Sequence, residues 1–285
     1  MRGMYGEAWK RLRRHRFAML SAYFLLFLSF VAIAAPYLTK FTYFDQNAND
    51  ALQFPNSTYW FGTDSLGRDL YSRLLYGARI SLAVGVFTAL FSLVIGTIYG
   101  AISGYIGGKV DSFMMRIADI LNAMPSLLLT ILLMIVVGRG PLGIFLALGI
   151  TGWVGEARLV RGQVLQVKEM LYVEAARSLG LGSARILFQH IVPNIMGPVI
   201  VSLTFGIPQN IMAESFLSFV GLGLEPPFAS WGTLANEGWR AYRTYPHLIL
   251  FPGIVLFITI LTFNFLGDGL RDALDPQTQR TKSNG

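Results

Sequence analysis

Residues 80–108 read ISLAVGVFTALFSLVIGTIYGAISGYIGG, a stretch without a single Asp, Glu, Lys or Arg. A helix needs about 20 mostly apolar residues to cross the roughly 30 Å hydrocarbon core of a bilayer. Because no water is available there, backbone N–H and C=O groups must pair within the segment, and a helix pairs them. The stretch therefore predicts a transmembrane helix that ends in a glycine-rich loop.

Five further charge-free stretches lie on either side of this one, at 17–39, 120–138, 140–155, 190–213 and 245–267. The stretch 140–155 is short for a span, since a helix rises about 1.5 Å per residue. We therefore expect its helix to continue past Glu156 and Arg158, with a re-entrant segment as the alternative. Together the stretches predict an all-α membrane protein with six transmembrane helices.

The composition of the whole chain also indicates a membrane protein. Hydrophobic residues make up 53% of the 285 residues and charged residues 14%, and the mean hydropathy is +0.51. Soluble domains carry about 25% charged residues, so this composition excludes a soluble globular protein and a disordered chain. The chain has no cysteine, which excludes disulfides, thiolate nucleophiles and Cys-based metal sites.

The distribution of basic residues predicts the orientation, because cytoplasmic loops carry more Lys and Arg. With the N-terminus inside, 16 of the 23 basic residues fall on the cytoplasmic side and 7 outside. Both termini are then cytoplasmic. The basic cluster 10–16 directly precedes the first span, which argues against the alternative of a nucleic-acid-binding arm.

This orientation divides the chain into two regions. Residues 1–79 hold a cytoplasmic basic tail, the first span and an outside loop. Residues 80–285 hold five helices and a long cytoplasmic loop, 158–194. In that loop we predict an amphipathic helix over 164–179 and a second one over 184–191 with Ser183 as its N-cap. Such a pair of helices fits either a knob that docks into a cytoplasmic partner or a simple interfacial hairpin.

The sequence lacks the motifs of several kinds of enzyme. It has no G-x-x-x-x-G-K-[ST] phosphate loop, no H-E-x-x-H zinc motif and no G-x-S-x-G nucleophile elbow. We therefore predict no catalytic residue, no metal site and no cofactor in this chain. ATP hydrolysis by a phosphate loop is excluded for it.

Polar residues inside the spans are candidates for function because they are costly in lipid. Gln209, Asn210 and Glu214 lie in and just after the fifth stretch. Asn210 and Glu214 are four residues apart and share one helix face. They fit either a polar strip along a water-filled pathway or interhelical hydrogen bonds that hold helices together.

The outside loop that follows the first span contains residues 61–69, FGTDSLGRD. Its glycines suit turns, and Asp64, Arg68 and Asp69 are able to pair with one another or cap helices. We expect these residues to form a rigid cap on the outside rather than to bind a ligand.

The cytoplasmic loop also carries residues 172–180, YVEAARSLG, followed by Pro193. This segment resembles the EAA loop of ABC importer permeases. The family pattern ends Ile-x-Leu-Pro, whereas this chain has His190 and Val192 at the Ile and Leu positions. The resemblance implies that the loop docks on an ATPase subunit, and it implies coupling roles for Glu174, Ala175, Ala176, Gly180 and Pro193.

Further blocks resemble the second, C-type permease subunit of dipeptide, oligopeptide and nickel importers. They are 61–69, FGTDSLGRD; 213–223, AESFLSFVGLG; 230–232, SWG; and 267–276, GDGLRDALDP. The resemblance spans essentially the whole chain and implies a type I importer fold in the bacterial inner membrane. It also implies a homologous permease, two ATPase subunits that bind ATP and Mg²⁺, an extracytoplasmic substrate-binding protein and surrounding lipid.

Three functional interpretations follow. The first is a permease subunit for dipeptides or oligopeptides that works by alternating access, with a nickel chelate or another solute as alternative cargo. The second is a stand-alone channel or ion-driven transporter, which needs ionisable groups in mid-membrane, whereas the sequence offers only Glu214, toward the outer end of its helix. The third is a structural membrane anchor, which has no need of a two-helix cytoplasmic loop.

Overall fold

The computed structural model describes residues 2–274, with only the backbone described for residues 2–5. Residues 275–285, the end of the predicted cytoplasmic segment 268–285, lie outside this range. Besides the helices given next, the described residues contain one short 3₁₀ turn, Ala48–Asp50. Its helices are α1 (Arg2–Arg14), α2 (Arg16–Leu38), α3 (Leu70–Ile106), α4 (Gly108–Ala123), α5 (Ser126–Val137), α6 (Pro141–Val167), α7 (Leu171–Ser178), α8 (Ser183–Phe219), α9 (Trp231–Arg240) and α10 (His247–Leu274).

Within residues 2–274, five helices are long and apolar enough to cross a membrane: α2, α3, α6, α8 and α10. Helix α6 is continuous over 27 residues and runs past Glu156 and Arg158, as expected. The predicted count of six is reached only if α4 and α5 together form one span. The all-α prediction is confirmed.

The predicted third span, 120–138, is not one continuous helix. Helices α4 and α5 meet at an angle of 87°. The break lies at Met124, whose backbone is extended (φ −87°, ψ 138°), and at Pro125. A proline ring disfavours helical backbone at the preceding residue and removes an N–H donor. The helix therefore ends before Pro125 and restarts at Ser126.

Helix α3 is the centre of the fold and packs closely against α6. Glycines on α3 allow this approach. A Cβ at Gly96 would lie 2.6 Å from the Cβ of Glu156, and a Cβ at Gly100 would lie 2.2 Å from the carbonyl oxygen of Ala157. Small residues drive such packing in membranes, where lipid removes the hydrophobic force between helices. The α3–α6 contact therefore depends on the missing side chains of these glycines.

Substitution Gly100→Ala is expected to destabilise the fold by about 1–3 kcal/mol, because the added methyl group must push two backbones apart. Thermal unfolding of the purified protein would measure the effect. Gly162→Ala on α6 is the matched control, since a Cβ at Gly162 has no neighbour within 4 Å. Equal stability of the two variants would contradict this account of the packing.

The prediction of a single amphipathic helix over 164–179 is wrong. Helix α6 ends at Val167 and α7 begins at Leu171, after a turn in which Met170 is extended. Val173 on α7 lies in the same buried cluster as Val160 on α6. In a straight helix these two residues would be about 20 Å apart along the axis. The chain must therefore turn so that α7 can pack back onto the core.

The second predicted cytoplasmic helix, 184–191, also has different bounds. Ser183 is the first helical residue rather than the N-cap, which is Gly182. The helix does not stop but passes through a π-helical segment, Ile186–Ile191, into α8, which ends at Phe219. Pro193 lies two residues after the end of the π segment. Such irregular turns accommodate a proline that cannot donate a backbone hydrogen bond.

Candidate functional site

The first candidate site is the coupling segment, defined as α7 with the turn that follows it (residues 171–182). Glu174 and Ala175 are exposed on α7, and Leu171 and Leu179 are each 82% exposed at its two ends. Burial raises the pKa of the Tyr172 hydroxyl above its ordinary value, so this group stays neutral at physiological pH. The segment thus presents the Glu174 carboxylate and the Arg177 guanidinium between exposed apolar side chains.

The opposite side of α7 packs inward. Val173 is fully buried and Ala176 is 4% exposed, and both belong to a cluster with residues of α3, α6 and α8. The structure therefore separates the predicted coupling residues into two groups. Glu174 and Ala175 face outward, whereas Ala176 anchors α7 to the membrane helices and is not available for direct contact with another chain.

Gly180 ends the segment with a left-handed backbone (φ +77°). The Leu181 N–H donates to the Ala176 carbonyl at 3.2 Å, and the Gly180 N–H donates to the Arg177 carbonyl at 3.0 Å. Glycine adopts positive φ without steric cost, which explains its presence at this helix end. Pro193 lies separately, near the start of the regular part of α8.

An ion pair joins helices α4 and α6. The Arg161 guanidinium on α6 donates two hydrogen bonds of 2.6 Å to the two carboxylate oxygens of Asp111 on α4. Ser103 on α3 donates to the same carboxylate. Bidentate pairs of this kind fix geometry as well as charge. The pair therefore joins α4 to α6, and the Ser103 hydroxyl joins both of them to α3.

The second candidate site is a cavity of about 1420 Å³. At one end its lining includes Gln166, Met170 and Asn194, which lie next to the coupling segment. Its other end reaches Ala89 on α3, Gly152 on α6 and Asn210 on α8. The cavity therefore extends from the coupling segment into the membrane-spanning part of the molecule and stops near Asn210.

The structure divides the predicted pathway residues. Gln209 and Asn210 line the cavity. Glu214 does not: it is fully buried and accepts hydrogen bonds from Ser81 at 3.1 Å and from Ser218 at 2.9 Å. Ser81 lies on α3, so this bond joins α3 to α8. Of the two alternatives for these polar residues, the contacts of Glu214 agree with interhelical hydrogen bonds that hold helices together.

Sequence reasoning missed the cavity-lining residues Glu156 and Ser202. Ser202 on α8 donates a hydrogen bond to Glu156 on α6, and both residues line the cavity. The sequence placed Glu156 only near a membrane interface. An acidic residue within a span is itself an indication of function, and it could have identified this site.

A buried ion cluster joins the loop before α3 to α9. Arg68 and Arg73 both contact Asp64, at 2.6 Å and 2.5 Å, and both contact Glu237 on α9. Asp69 caps α3 by accepting from the Ser72 N–H at 2.8 Å, and burial raises the pKa of its carboxyl. The predicted pairing and capping roles of the outside loop are present in the structure.

With this geometry established, comparison with known proteins identifies the family. Residues 96–280 match the family described as binding-protein-dependent transport system inner membrane component. The chain belongs to this permease family. Residues 3–55 of the permease also match the N-terminal TM domain of oligopeptide transport permease C.

Curated relatives cover almost the whole permease. It is 47% identical to the dipeptide transport system permease protein DppC of Bacillus subtilis, over 96% of this chain and 86% of that protein. It is also 47% identical to the oligopeptide transport system permease protein OppC of the same organism, over 97% of this chain and 91% of that protein. Its identity to the glutathione transport system permease protein GsiD of Escherichia coli O157:H7 is 44%, over 97% and 92% of the two chains.

Solved structures share the fold of the permease. A chain of the MetNI methionine ABC transporter, described as inward facing, matches with a TM-score of 0.56 and 18% identity, over 72% of this chain and 96% of that chain. A chain of an amino acid ABC transporter matches with a TM-score of 0.53 and 17% identity, over 71% of this chain and 92% of that chain. The permease therefore has the fold of a type I ABC importer permease.

These findings confirm the central predictions. The protein is a permease subunit of a bacterial ABC importer, and it is a multi-pass protein of the inner membrane. It is a transport subunit rather than an ATPase. The stand-alone channel and the structural anchor do not agree with this family membership. The division at residue 79 and the roles of individual site residues remain predictions.

Proposed function

We propose that this permease carries dipeptides or short oligopeptides across the inner membrane. The observation that carries the proposal is the cavity of about 1420 Å³ that leads from the coupling segment to Asn210. Its volume suits a short peptide rather than a bare ion. The proposal is supported by the names of the relatives, which transport dipeptides, oligopeptides and glutathione.

The complex that we propose has four kinds of subunit. This permease pairs with a homologous permease, two ATPases bind ATP and Mg²⁺, and an extracytoplasmic protein delivers the peptide. Both termini of this chain are cytoplasmic. Because Glu7 and Arg11 near the N-terminus and Arg271 in the last turn of α10 line the cavity, it opens toward the cytoplasm. This chain itself binds no nucleotide or metal cofactor.

Transport in this complex follows alternating access. ATP binding closes the ATPase pair and moves the coupling segment through Glu174 and Ala175, which are its exposed residues. The buried contacts of Ala176 pass the motion to α3, α6 and α8. The two permeases then open to the outside, and hydrolysis resets them, as in other rigid-body switches. Gln209 and Asn210 line the pathway.

Purification from native membranes with a tag on this chain is expected to recover a second permease and ATP-binding chains. The recovered complex, reconstituted in vesicles with its binding protein, should accumulate a labelled dipeptide only when ATP is supplied. An unlabelled tripeptide should compete for this uptake, whereas a free amino acid should not. ATP-driven uptake of Ni²⁺ chelates without uptake of peptides would overturn the peptide assignment in favour of the nickel alternative.

A further inference from the structure

A buried carboxylate in the cavity wall has an unused hydrogen-bonding oxygen. Glu156 on α6 is only 9% exposed. One of its carboxylate oxygens, Oε2, accepts from the Ser202 hydroxyl on α8. The other, Oε1, is buried and has no hydrogen-bond partner among the described residues. Because an unpaired buried acceptor is costly, this oxygen indicates a missing donor.

A second unpartnered polar atom lies on α3, against the turn of α6 that precedes Glu156. The Ser92 hydroxyl on α3 is buried and also has no hydrogen-bond partner among the described residues. A Cβ at Gly152 would lie 2.8 Å from this hydroxyl, and Gly152 precedes Glu156 by one turn of α6. Ser92, Glu156 and Ser202 all line the cavity. Three helices thus bring polar oxygens to one part of its wall.

Glu156 is the acidic residue in this part of the described cavity lining. The other charged residues in the described lining are Glu7 and Arg11 on α1 and Arg271 in the last turn of α10. The Glu7 Oε2 and Arg11 Nη2 atoms lie 3.9 Å apart, so the charges of these two side chains offset each other. Glu156 is therefore the charged group that the membrane-spanning interior of the described cavity presents to a solute.

We propose that Glu156, with Ser92 and Ser202, binds the ammonium group of the solute during its passage. An ammonium has three N–H donors, and the site offers the free carboxylate oxygen and two hydroxyl oxygens as acceptors. A divalent cation would require more oxygen ligands of higher charge than this single carboxylate supplies. The inference rests on the proposed function, because an unblocked peptide carries such an ammonium at its N-terminus.

The competing explanation is purely structural. The hydrogen bond between Glu156 and Ser202 joins α6 to α8, and a glutamine at position 156 would preserve an acceptor for it. The substitution Glu156→Gln therefore removes the charge while keeping the shape and this bond. A structural role predicts little change in this variant, whereas an ammonium site loses its main attraction.

The lack of cysteine in this chain allows a direct measurement of the local charge. Leu159→Cys introduces a single thiol into this subunit at a cavity-lining residue that is 36% exposed and lies three residues after Glu156 on α6. In the whole complex in membranes, modification of this chain by a cationic and by an anionic methanethiosulfonate reagent is followed by mass. We expect the ratio of the cationic to the anionic rate to fall about tenfold when Glu156→Gln is added.

Glu225→Gln is the matched control for this charge measurement. Glu225 is an exposed acid on the outer side, 3.7 Å from Arg139, and its neutralisation should leave the rate ratio unchanged. Glu156→Asp should keep most of the preference for the cationic reagent. An unchanged ratio in the Glu156→Gln background would overturn the inference.

Ligand protection tests the ammonium itself. Membrane vesicles with the coupling segment facing outward expose the cavity without the binding protein, so the preference of that protein does not enter. Alanyl-alanine should slow modification of the introduced thiol, whereas its N-acetylated form should not. This difference should vanish with Glu156→Gln. Equal protection by both peptides would contradict the inference, and peptide uptake by the unaltered complex would show that the proposed function still holds.

Discussion

Substitution Glu174→Lys is expected to reduce peptide uptake per ATP hydrolysed by more than tenfold. Glu174 is exposed on the coupling segment, while the neighbouring Val173 and Ala176 hold the segment to the core. The substitution reverses a charge at the proposed docking face without altering the buried side of α7. Like-charge contacts at an interface cost several kcal/mol, which is more than enough for this effect.

Uptake and ATP hydrolysis should be measured together on the reconstituted complex, with the abundance of the permease in the membrane determined in parallel. Glu225→Lys is the matched control, because it makes the same change at an exposed glutamate that is not part of the coupling segment. We expect the control to transport normally. Normal uptake by the Glu174→Lys variant at normal abundance would contradict the assignment of the coupling segment.

Substitution Arg73→Met is expected to destabilise the permease by about 3–5 kcal/mol, the usual cost of breaking a buried ion pair by removing one partner. Arg73 is 1% exposed and contacts both Asp64 and Glu237. Without it, Arg68 alone must balance two carboxylates. The outside loop should then separate from α9, since these contacts join the two.

Thermal unfolding of the purified complex and protease cleavage of the outside loop would measure this loss. The double variant Arg73→Met with Glu237→Gln should recover part of the stability, because it leaves the balanced pair of Asp64 and Arg68. Arg243→Met serves as the control, since Arg243 is exposed and, among the described residues, contacts Tyr242 by stacking and by a hydrogen bond from its Nε. If the double variant were less stable than Arg73→Met, the charge-balance explanation would be wrong.

Most of the helices could be predicted from local sequence. Charge-free stretches are long enough to define the spans, because the bilayer requires apolar side chains and internally paired backbone. The structure exposes Glu174 and Ala175 of the short coupling motif and buries Ala176, and their roles in coupling stay predictions. The predicted bounds of the helix that carries this motif, 164–179, were wrong. Helix α7 packs back onto α6, and only that contact places the turn at Met170.

The roles of the acidic residues depended on neighbours that are distant in the chain. Glu214 and Asn210 share a helix face in the sequence, yet Glu214 is buried against Ser81 of α3 while Asn210 lines the cavity. Glu156 had no recognisable motif around it. Its place in the cavity wall depends on α3, α6 and α8 packing together, which no local pattern specifies.

The sequence by itself therefore determined that this chain is a helical membrane permease, where five of its helices that are long and apolar enough to cross a membrane lie, and where the coupling motif lies. Apolar length, charge-free runs and a short motif are local properties of the chain. The tertiary structure alone decided which polar residues face the cavity and which hold helices together. Those assignments depend on through-space contacts, such as that between Glu156 and Ser202, because burial and hydrogen bonding are set by the packing of distant segments.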